Sequence, residues 1–465
     1  MRQLESPSWV AGFATRAPLL ASPGRRLGGP FQELVPPLSD EEAVVEAERC
    51  LDCRGPYAQA PCTVACPTGI DVASFVTAVA RGEPDRAAAT IFAENLLGAT
   101  CARVCPVEVL CEGACVLVHE GRRPVEIGRL QRYATDRALG ERLRFRRPAS
   151  PGALRVAVIG AGPAGLACAG ELALLGYRVT VYDAREEPGG LVRYAIAPYR
   201  QLSDPLPAEV EMIGELGVEF RFGADVDGPG ALRRIEARAD AVFLGVGMGP
   251  DVDVRLPGDD LRGVWDSLAF VEALKTRRPP AVGERVAVIG GGNTAVDVAR
   301  EALRLGAAEV TMLYRRTEAE MPAYRHEVEE ARAEGVRFQW LTVPARFLGA
   351  GRLEGIECSY VRLGAPDGTG RPRPEPVPGT QFVMPASAAV KAIGQAPRSD
   401  FLGWIDGLEL EDGLVRVDSA TGQTANPKYF CGGDAVNGGD TVVEAVRAAK
   451  IAARGIDAYL QGGAS

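Results

Sequence analysis

Val156-Ala157-Val158-Ile159-Gly160-Ala161-Gly162-Pro163-Ala164-Gly165 leads through an alanine- and leucine-rich run to Gly176, and Val179-Thr180-Val181-Tyr182-Asp183 follows. The first four residues read as a buried parallel strand, because they are apolar without alternation. A glycine turn then opens a helix, and a second strand ends in an acid, which is the order of a dinucleotide-binding βαβ unit. Gly160 makes the tight turn, Gly162 lets a pyrophosphate approach the backbone, and Gly165 lets helix and strand close on each other. The first turn of the helix offers free N–H groups to phosphates. Asp183 is expected to take the ribose hydroxyls. A glycine triad alone is a weak signal, and its specificity comes from the strand, helix and acid around it.

The pattern returns once. Arg285-Val286-Ala287-Val288-Ile289 runs into Gly290-Gly291-Gly292-Asn293-Thr294-Ala295, a G-x-G-x-x-A variant that opens a second helix at Asn293 and Thr294. Here the following strand, Val310 to Tyr314, ends at Arg315-Arg316. A carboxylate at that place suits NAD, whereas guanidinium groups suit the 2'-phosphate of NADP. The competing reading is two arginines that end a strand and face solvent. Two such units imply two nucleotides, one resident and one exchanging.

Other glycine-bearing stretches cluster around the first unit. Pro188-Gly189-Gly190-Leu191 follows the acid strand, where glycine lets backbone approach a cofactor. Tyr429 to Asp434 reads as a strand entering a turn at Gly433-Asp434, and Gly438 to Val443, with Thr441, opens a final helix. Ala241 to Gly245 and Ala388 to Gly394 are expected to be the strands that leave and re-enter the first nucleotide domain. Gly364 to Pro378, dense in proline and glycine, is expected to form an exposed hairpin or loop.

The 465 residues carry a net charge of -9, which speaks against a nucleic-acid surface. Met1 to Val10 lacks a basic and an apolar segment, and no apolar run reaches membrane-spanning length, so no membrane span and a cytoplasmic setting are expected. With two histidines, His119 and His326, histidine-based catalysis has few candidates, and no catalytic acid or base is demanded. Eight of the 11 cysteines fall between Cys50 and Cys115. In a large chain without a secretory signal this points to a metal rather than disulfides.

The first forty residues, rich in Pro, Gly and Arg, are expected to form an irregular arm, and a helix capped by Asp40 should deliver the first thiols. The cysteines are Cys50-x2-Cys53, Cys62-x3-Cys66-Pro67, Cys101-x3-Cys105-Pro106 and Cys111-x3-Cys115, with helices expected from Asp71 to Arg81 and from Pro84 to about Asn95. Proline directly after cysteine is the ferredoxin habit. Zinc is the competing reading, but only Cys50 and Cys53 fit its paired C-x2-C units. A flavin-type unit beside the block favours iron–sulfur clusters, because zinc has no redox chemistry.

The run Leu97 to Pro106, then Leu110 to Cys115, then Ile127 to Asp136, resembles the N-terminal module of dihydropyrimidine dehydrogenases, and the small flavoprotein subunit of glutamate synthase is similar. The resemblance covers nearly the whole chain, and Glu320-Met321-Pro322-Ala323 adds to it. It implies FAD at Gly160 to Gly165, NADPH at Gly290, and two [4Fe-4S] clusters with crossed ligation. Carried over by position, Cys50, Cys53, Cys62 and Cys115 would hold one cluster. Cys66, Cys105, Cys111 and Gln131 would hold the other, and Cys101 would not be a ligand. Arg54 to Pro61 is longer than the family's usual gap. Asp434 would meet the flavin's sugar-alcohol chain, and the last helix would point its N-terminus at the isoalloxazine.

The expected fold is α/β, with two Rossmann-like nucleotide-binding domains preceded by an all-α iron–sulfur domain. Residues 1–150 would form the helical domain, 151–275 and 388–465 the FAD domain, and 276–387 the NADPH domain. The implied role is an electron-input subunit that passes electrons from NADPH through FAD and the clusters to a partner bearing an FMN barrel. The partner would be of dihydropyrimidine dehydrogenase type or, alternatively, of glutamate synthase type.

Overall fold

The protein is described from a computed structural model, over residues 33–55, 59–202, 204–224, 226, 228–368 and 370–462. The expected irregular arm lies almost wholly outside the described residues, as does the middle of the long segment between Cys53 and Cys62.

Short helices make up the N-terminal module. The first, Asp40–Ala47, is capped by Ser39 rather than Asp40, and Glu42 closes a reciprocal capping box. Asp71 caps Val72–Ala80, proline opens Pro84–Glu94 at its first position, and Gly98–Val104 follows. The longest, Ile127–Gly140, packs on Pro84–Glu94 and Gly98–Val104 and buries Leu130, Ala134 and Ala138 against them.

Two five-stranded parallel sheets follow. The first runs in the order Tyr429–Cys431, Ala241–Leu244, Arg155–Ile159, Arg178–Tyr182, Glu219–Arg221. Helix Pro163–Leu174 covers it, and the last helix, Val442–Gly462, packs on that helix in turn. The second sheet runs Val264–Asp266, Ala388–Lys391, Arg285–Ile289, Glu309–Leu313, Arg337–Gln339. Beside it an antiparallel sheet joins Thr342–Leu348 to the hairpin Gly355–Pro366 and Pro372–Pro385, so the proline- and glycine-dense stretch is a strand pair with its turn.

One expectation is corrected here. Ala388–Lys391 does not re-enter the first sheet; it lies in the second, paired with Arg285–Ile289 and Val264–Asp266. Its four residues are all buried, and a fully buried parallel strand reads alike in either sheet, so the sequence reports burial but not partner. The second unit therefore extends at both ends beyond 276–387. The two chain crossings lie side by side in antiparallel fashion. Gly249 N donates to Ala396 O at 2.7 Å, Ala396 N to Pro250 O at 2.8 Å and Val252 N to Gly394 O at 2.9 Å. Among the described residues no helix is long and apolar enough to cross a membrane.

Candidate functional site

At the first glycine turn, packing leaves no choice of residue. Gly160 has φ +102°, and a Cβ there would stand 2.3 Å from Gly245 O. A Cβ on Gly165 would stand 1.8 Å from Gly160 O, so strand and helix meet backbone to backbone. Gly162 instead faces open space, with Gly190 Cα 3.9 Å from where its Cβ would be. Gly190, at φ +52°, and Gly433, at φ +73°, close round the same turn, since a Cβ on either would meet Gly162 Cα or Ala164 Cβ at 3.0 Å. Leu191 starts the short helix after Gly190.

Asp183 sits at the end of its strand beside the turn. Its Oδ2 accepts from Ala161 N at 2.6 Å and its Oδ1 from Arg185 N at 2.8 Å, so it braces the turn. Asp434 is held above the ordinary carboxylate range by burial, while Asp440 N donates to it at 3.2 Å. Thr441 Oγ1 accepts from Glu444 N at 3.3 Å and thereby caps the last helix.

The second turn repeats the geometry with a different neighbour. Gly290 has φ +148° and a Cβ there would stand 2.0 Å from Ala392 O, while a Cβ on Gly291 would come within 2.5 Å of the Tyr314 ring. Gly292 has nothing within 4 Å of that position, which leaves room for a pyrophosphate. The Asn293 side chain is occupied, with Oδ1 accepting from Tyr324 N at 2.9 Å, whereas Thr294 is exposed on the first helical turn.

The two arginines divide. Arg315 is exposed and makes no hydrogen bond or ion pair among the described residues. Arg316 is buried and clamps the hairpin, its Nε donating to Pro372 O at 2.8 Å and its Nη2 to Asp367 Oδ2 at 3.0 Å. The expectation that both face the 2'-phosphate is corrected for Arg316, because successive residues leaving a strand point to opposite sides.

In the helical module the thiols fall into two sets. Cys50, Cys53, Cys62 and Cys115 line one pocket, walled by Val72, Val76, Leu117 and Ile127. Burial, with Cys50 and Cys115 adjacent, pushes the Cys62 thiol up to about 12, and burial also raises Cys50 and Cys53. Cys66, Cys105 and Cys111 form the second set. The Cys101 contact and burial, with Cys111 and Cys66 nearby, hold Cys105 well above its ordinary value. Burial, with Glu112 and Cys66 nearby, does the same to Cys111. Crowded, buried thiols stay protonated until a bound cation reverses the balance.

Gln131 is 8% exposed on helix Ile127–Gly140, its Nε2 donating at 2.7 Å to Gly98 O, at the start of the helix that Cys105 caps. With the amide nitrogen so engaged, the amide oxygen is the atom left without a partner among the described residues. Among the described residues no three side chains converge on a single ion. A four-iron cluster asks for a wider ring, each ligand binding its own iron, and the four-thiol set fits such a group chemically.

Sequence reasoning missed the groups that join these parts. Glu209, fully buried on the flavin unit's helix Leu206–Glu215, accepts from Ala99 N at 2.8 Å, Thr100 N at 3.1 Å and Thr100 Oγ1 at 2.5 Å. Tyr199 and Arg200 meet Asp297 on the second unit's helix, the phenol donating to Oδ1 and Arg200 Nη2 donating to the same oxygen at 2.6 Å. A lone Glu or Tyr in an amphipathic sequence carries no mark of such a partner.

Comparison with known proteins agrees with this layout. A family model described as dihydropyrimidine dehydrogenase domain II, 4Fe-4S cluster, matches residues 28–143, and one described as pyridine nucleotide-disulphide oxidoreductase matches 154–449. The glutamate synthase [NADPH] small chain of Halomonas elongata is 38% identical, over 94% of this chain and 95% of its own length. That of Escherichia coli is 36% identical, over 93% and 94%. The NADP(+)-dependent formate dehydrogenase subunit beta of Moorella thermoacetica is 37% identical over 88% of this chain and 61% of its own. Among solved structures, FprA of Mycobacterium tuberculosis in complex with NADPH shares the fold at TM-score 0.55 and 20% identity, covering 68% of this chain and 86% of its own. The chain belongs to the pyridine nucleotide-disulphide oxidoreductases, in the branch with a dihydropyrimidine dehydrogenase-type 4Fe-4S module that includes glutamate synthase small chains, and it is an NAD(P)H-dependent flavin and iron–sulfur oxidoreductase.

Proposed function

We propose that the chain is an electron-input subunit that takes electrons from NADPH and delivers them through FAD and two [4Fe-4S] clusters to a partner subunit bearing an FMN barrel. The observation that carries this is the division of the thiols into two sets, partly buried but for the exposed Cys53, in a module packed on the first nucleotide unit. FAD bound here would supply the exchange from one hydride, carrying two electrons, to electrons released one at a time. The chain's residues supply position and charge: Gly160, Gly162, Gly165, Gly190 and Gly433 admit the dinucleotide, Asp183 faces its ribose and Asp434 its sugar-alcohol chain. The Thr441-capped helix aims its positive end at the flavin and favours negative charge there. Gly290 and Gly292 admit the exchanging nucleotide, and Arg315 meets its 2'-phosphate.

Cys50, Cys53, Cys62 and Cys115 would hold one cluster, and Cys66, Cys105, Cys111 and Gln131 the other. The units would be 33–150 for the clusters, 151–250 with 396–462 for FAD, and 251–395 for NADPH. We place the enzyme in the cytoplasm, where its 11 free cysteines stay reduced.

The similarity over nearly full length to glutamate synthase small chains supports a glutamate synthase large subunit as partner. A dihydropyrimidine dehydrogenase-type partner is equally consistent with the module match over residues 28–143. Reconstituted protein should contain about eight irons and eight acid-labile sulfides per chain. About four would remove one cluster from the proposal. Mixed with each partner in turn, it should oxidise NADPH in response either to glutamine plus 2-oxoglutarate or to uracil, and a response to neither would overturn the role. Arg315→Ala should raise the NADPH KM about tenfold and leave NADH within about twofold; equal losses would refute the 2'-phosphate contact.

A further inference from the structure

We propose that Arg371, carried on the turn of the hairpin Gly355–Pro366 and Pro372–Pro385, is a specificity-determining residue that grips the 2'-phosphate of NADPH opposite Arg315. The proposal rests on the NADPH reading and adds a second, distant ligand to it.

The turn is built to place this side chain. Asp367 N donates to Arg371 O at 2.8 Å, Gly370 N to Asp367 O at 2.9 Å and Arg371 N to Asp367 Oδ1 at 3.3 Å. Arg316, buried at the end of the nucleotide-binding strand, holds the same turn through Asp367 and Pro372. The hairpin is therefore tied to the place where a βαβ unit receives the adenosine ribose.

Arg371 itself is oriented by one nitrogen only. Its Nη2 donates to Tyr314 Oη at 2.9 Å and to Glu320 O at 2.6 Å, and Tyr314 Oη donates to Glu320 O at 2.8 Å. Nε and Nη1 donate to nothing among the described residues. The Tyr314 ring that anchors it lies against Gly291 of the glycine turn. A half-exposed guanidinium with Nε–H and an Nη1 amino group free to donate thus stands between the hairpin and the nucleotide strand.

Charge points the same way. Partial burial and the nearby Arg316 and Arg371 hold the Arg315 guanidinium below its ordinary pKa, so three cations crowd together. The neighbouring carboxylates are engaged elsewhere, Asp367 by Arg316 and the turn, and Glu320 by Thr317, whose N and Oγ1 donate to it at 3.0 Å and 2.6 Å. A phosphate dianion relieves that crowding and accepts a charge-assisted hydrogen bond from the free Nη1 or Nε, whereas the 2'-hydroxyl of NADH brings no charge to relieve it.

The test is calorimetric titration of the full-length, FAD-loaded protein with adenosine 2',5'-bisphosphate and with 5'-AMP. Wild type should bind the bisphosphate at least about tenfold tighter. Absence of that preference would sink the NADPH reading itself, independently of Arg371. Given the preference, Arg371→Met, which keeps an apolar stem against Tyr314, should weaken the bisphosphate about tenfold and leave 5'-AMP within about twofold. Arg371→Lys should restore part of the loss at low salt and little of it at high salt. Equal weakening of both nucleotides, or none, would overturn the proposal. Tyr314→Phe, which removes the anchor but leaves the clamp, serves if Arg371→Met fails to fold. It should cost about threefold on the bisphosphate alone, and an unchanged preference would count against Arg371 in the same way.

Discussion

Under the proposed function, single glycines decide whether the flavin can bind. Gly165 shows this most sharply, since the only direction open to a Cβ runs 1.8 Å from Gly160 O, and neither atom can yield without opening strand from helix. Gly165→Ala should therefore give protein with less than about a tenth of the wild-type flavin absorbance per chain. Gly162→Ala, whose Cβ would meet nothing closer than 3.9 Å in the protein, should fold normally and lose flavin only through crowding the pyrophosphate. Flavin retention by both would contradict the assignment of this turn. These glycines were legible because the tasks of turn, approach and packing fix residue type at fixed spacing. Arg316 was misread for the converse reason: Arg-Arg at a strand end states two charges, and only the hairpin 51 residues away decides which is spent on structure.

Between elements, buried carboxylates bind the units together and make their union pH-dependent. Glu209 reaches from Leu206–Glu215 to the start of Gly98–Val104, and burial pushes it up to about 7 against three hydrogen bonds, chiefly from Thr100, that favour the ionised form. Burial likewise holds Glu301, which accepts from Tyr199 N at 3.0 Å, at about 7. A carboxyl whose folded pKa lies above its unfolded one contributes stability in full below the unfolded value and loses it as pH rises through the folded one. The protein should thus lose thermal stability as pH rises from about 4.5 to about 7, each group contributing roughly 3 kcal/mol over that whole window. Glu209→Gln keeps an acceptor for the two N–H groups and a donor for Thr100 Oγ1, so it should remove about half of that slope, Glu301 supplying the rest. An unchanged slope would show that Glu209 is ionised throughout. The helices bearing these groups were readable from caps and periodicity, but the pairing of Glu209 with residues about 110 positions away was not.

The whole molecule turns on one segment, Ala197 to Leu202, which touches all three units. Leu202 N donates to Glu33 Oε1 at 2.8 Å while Glu33 Oε2 accepts from Arg132 Nη2 at 2.7 Å, tying the segment to the cluster module. On its other side Tyr199 and Arg200 meet Asp297, and Arg200 also pairs with Glu327 at 2.7 Å. Arg300 and Arg304 stack over the Tyr199 ring, with centroid distances of 4.5 Å and 4.7 Å. Outside this network the nucleotide unit is tied to the rest by the paired crossings at Gly249 and Ala396, by Arg185 Nη1 donating to Glu272 Oε1 at 2.6 Å, and by His326 Nε2 standing 3.4 Å from Glu108 Oε2. Asp297 carries the most contacts to the segment, so Asp297→Ala leaves Tyr199 and Arg200 buried without their shared acceptor, at a cost of about 3 kcal/mol. A chain of several units need not melt as one, and the loss should fall on the seam rather than on either sheet. Scanning calorimetry of Asp297→Ala should split the transition, the nucleotide unit melting first while flavin absorbance persists. Proteolysis at the crossings should quicken about tenfold or more with that opening. A single transition, lowered but undivided, would mean that the crossings and the Arg185–Glu272 pair suffice to hold the two nucleotide units in register.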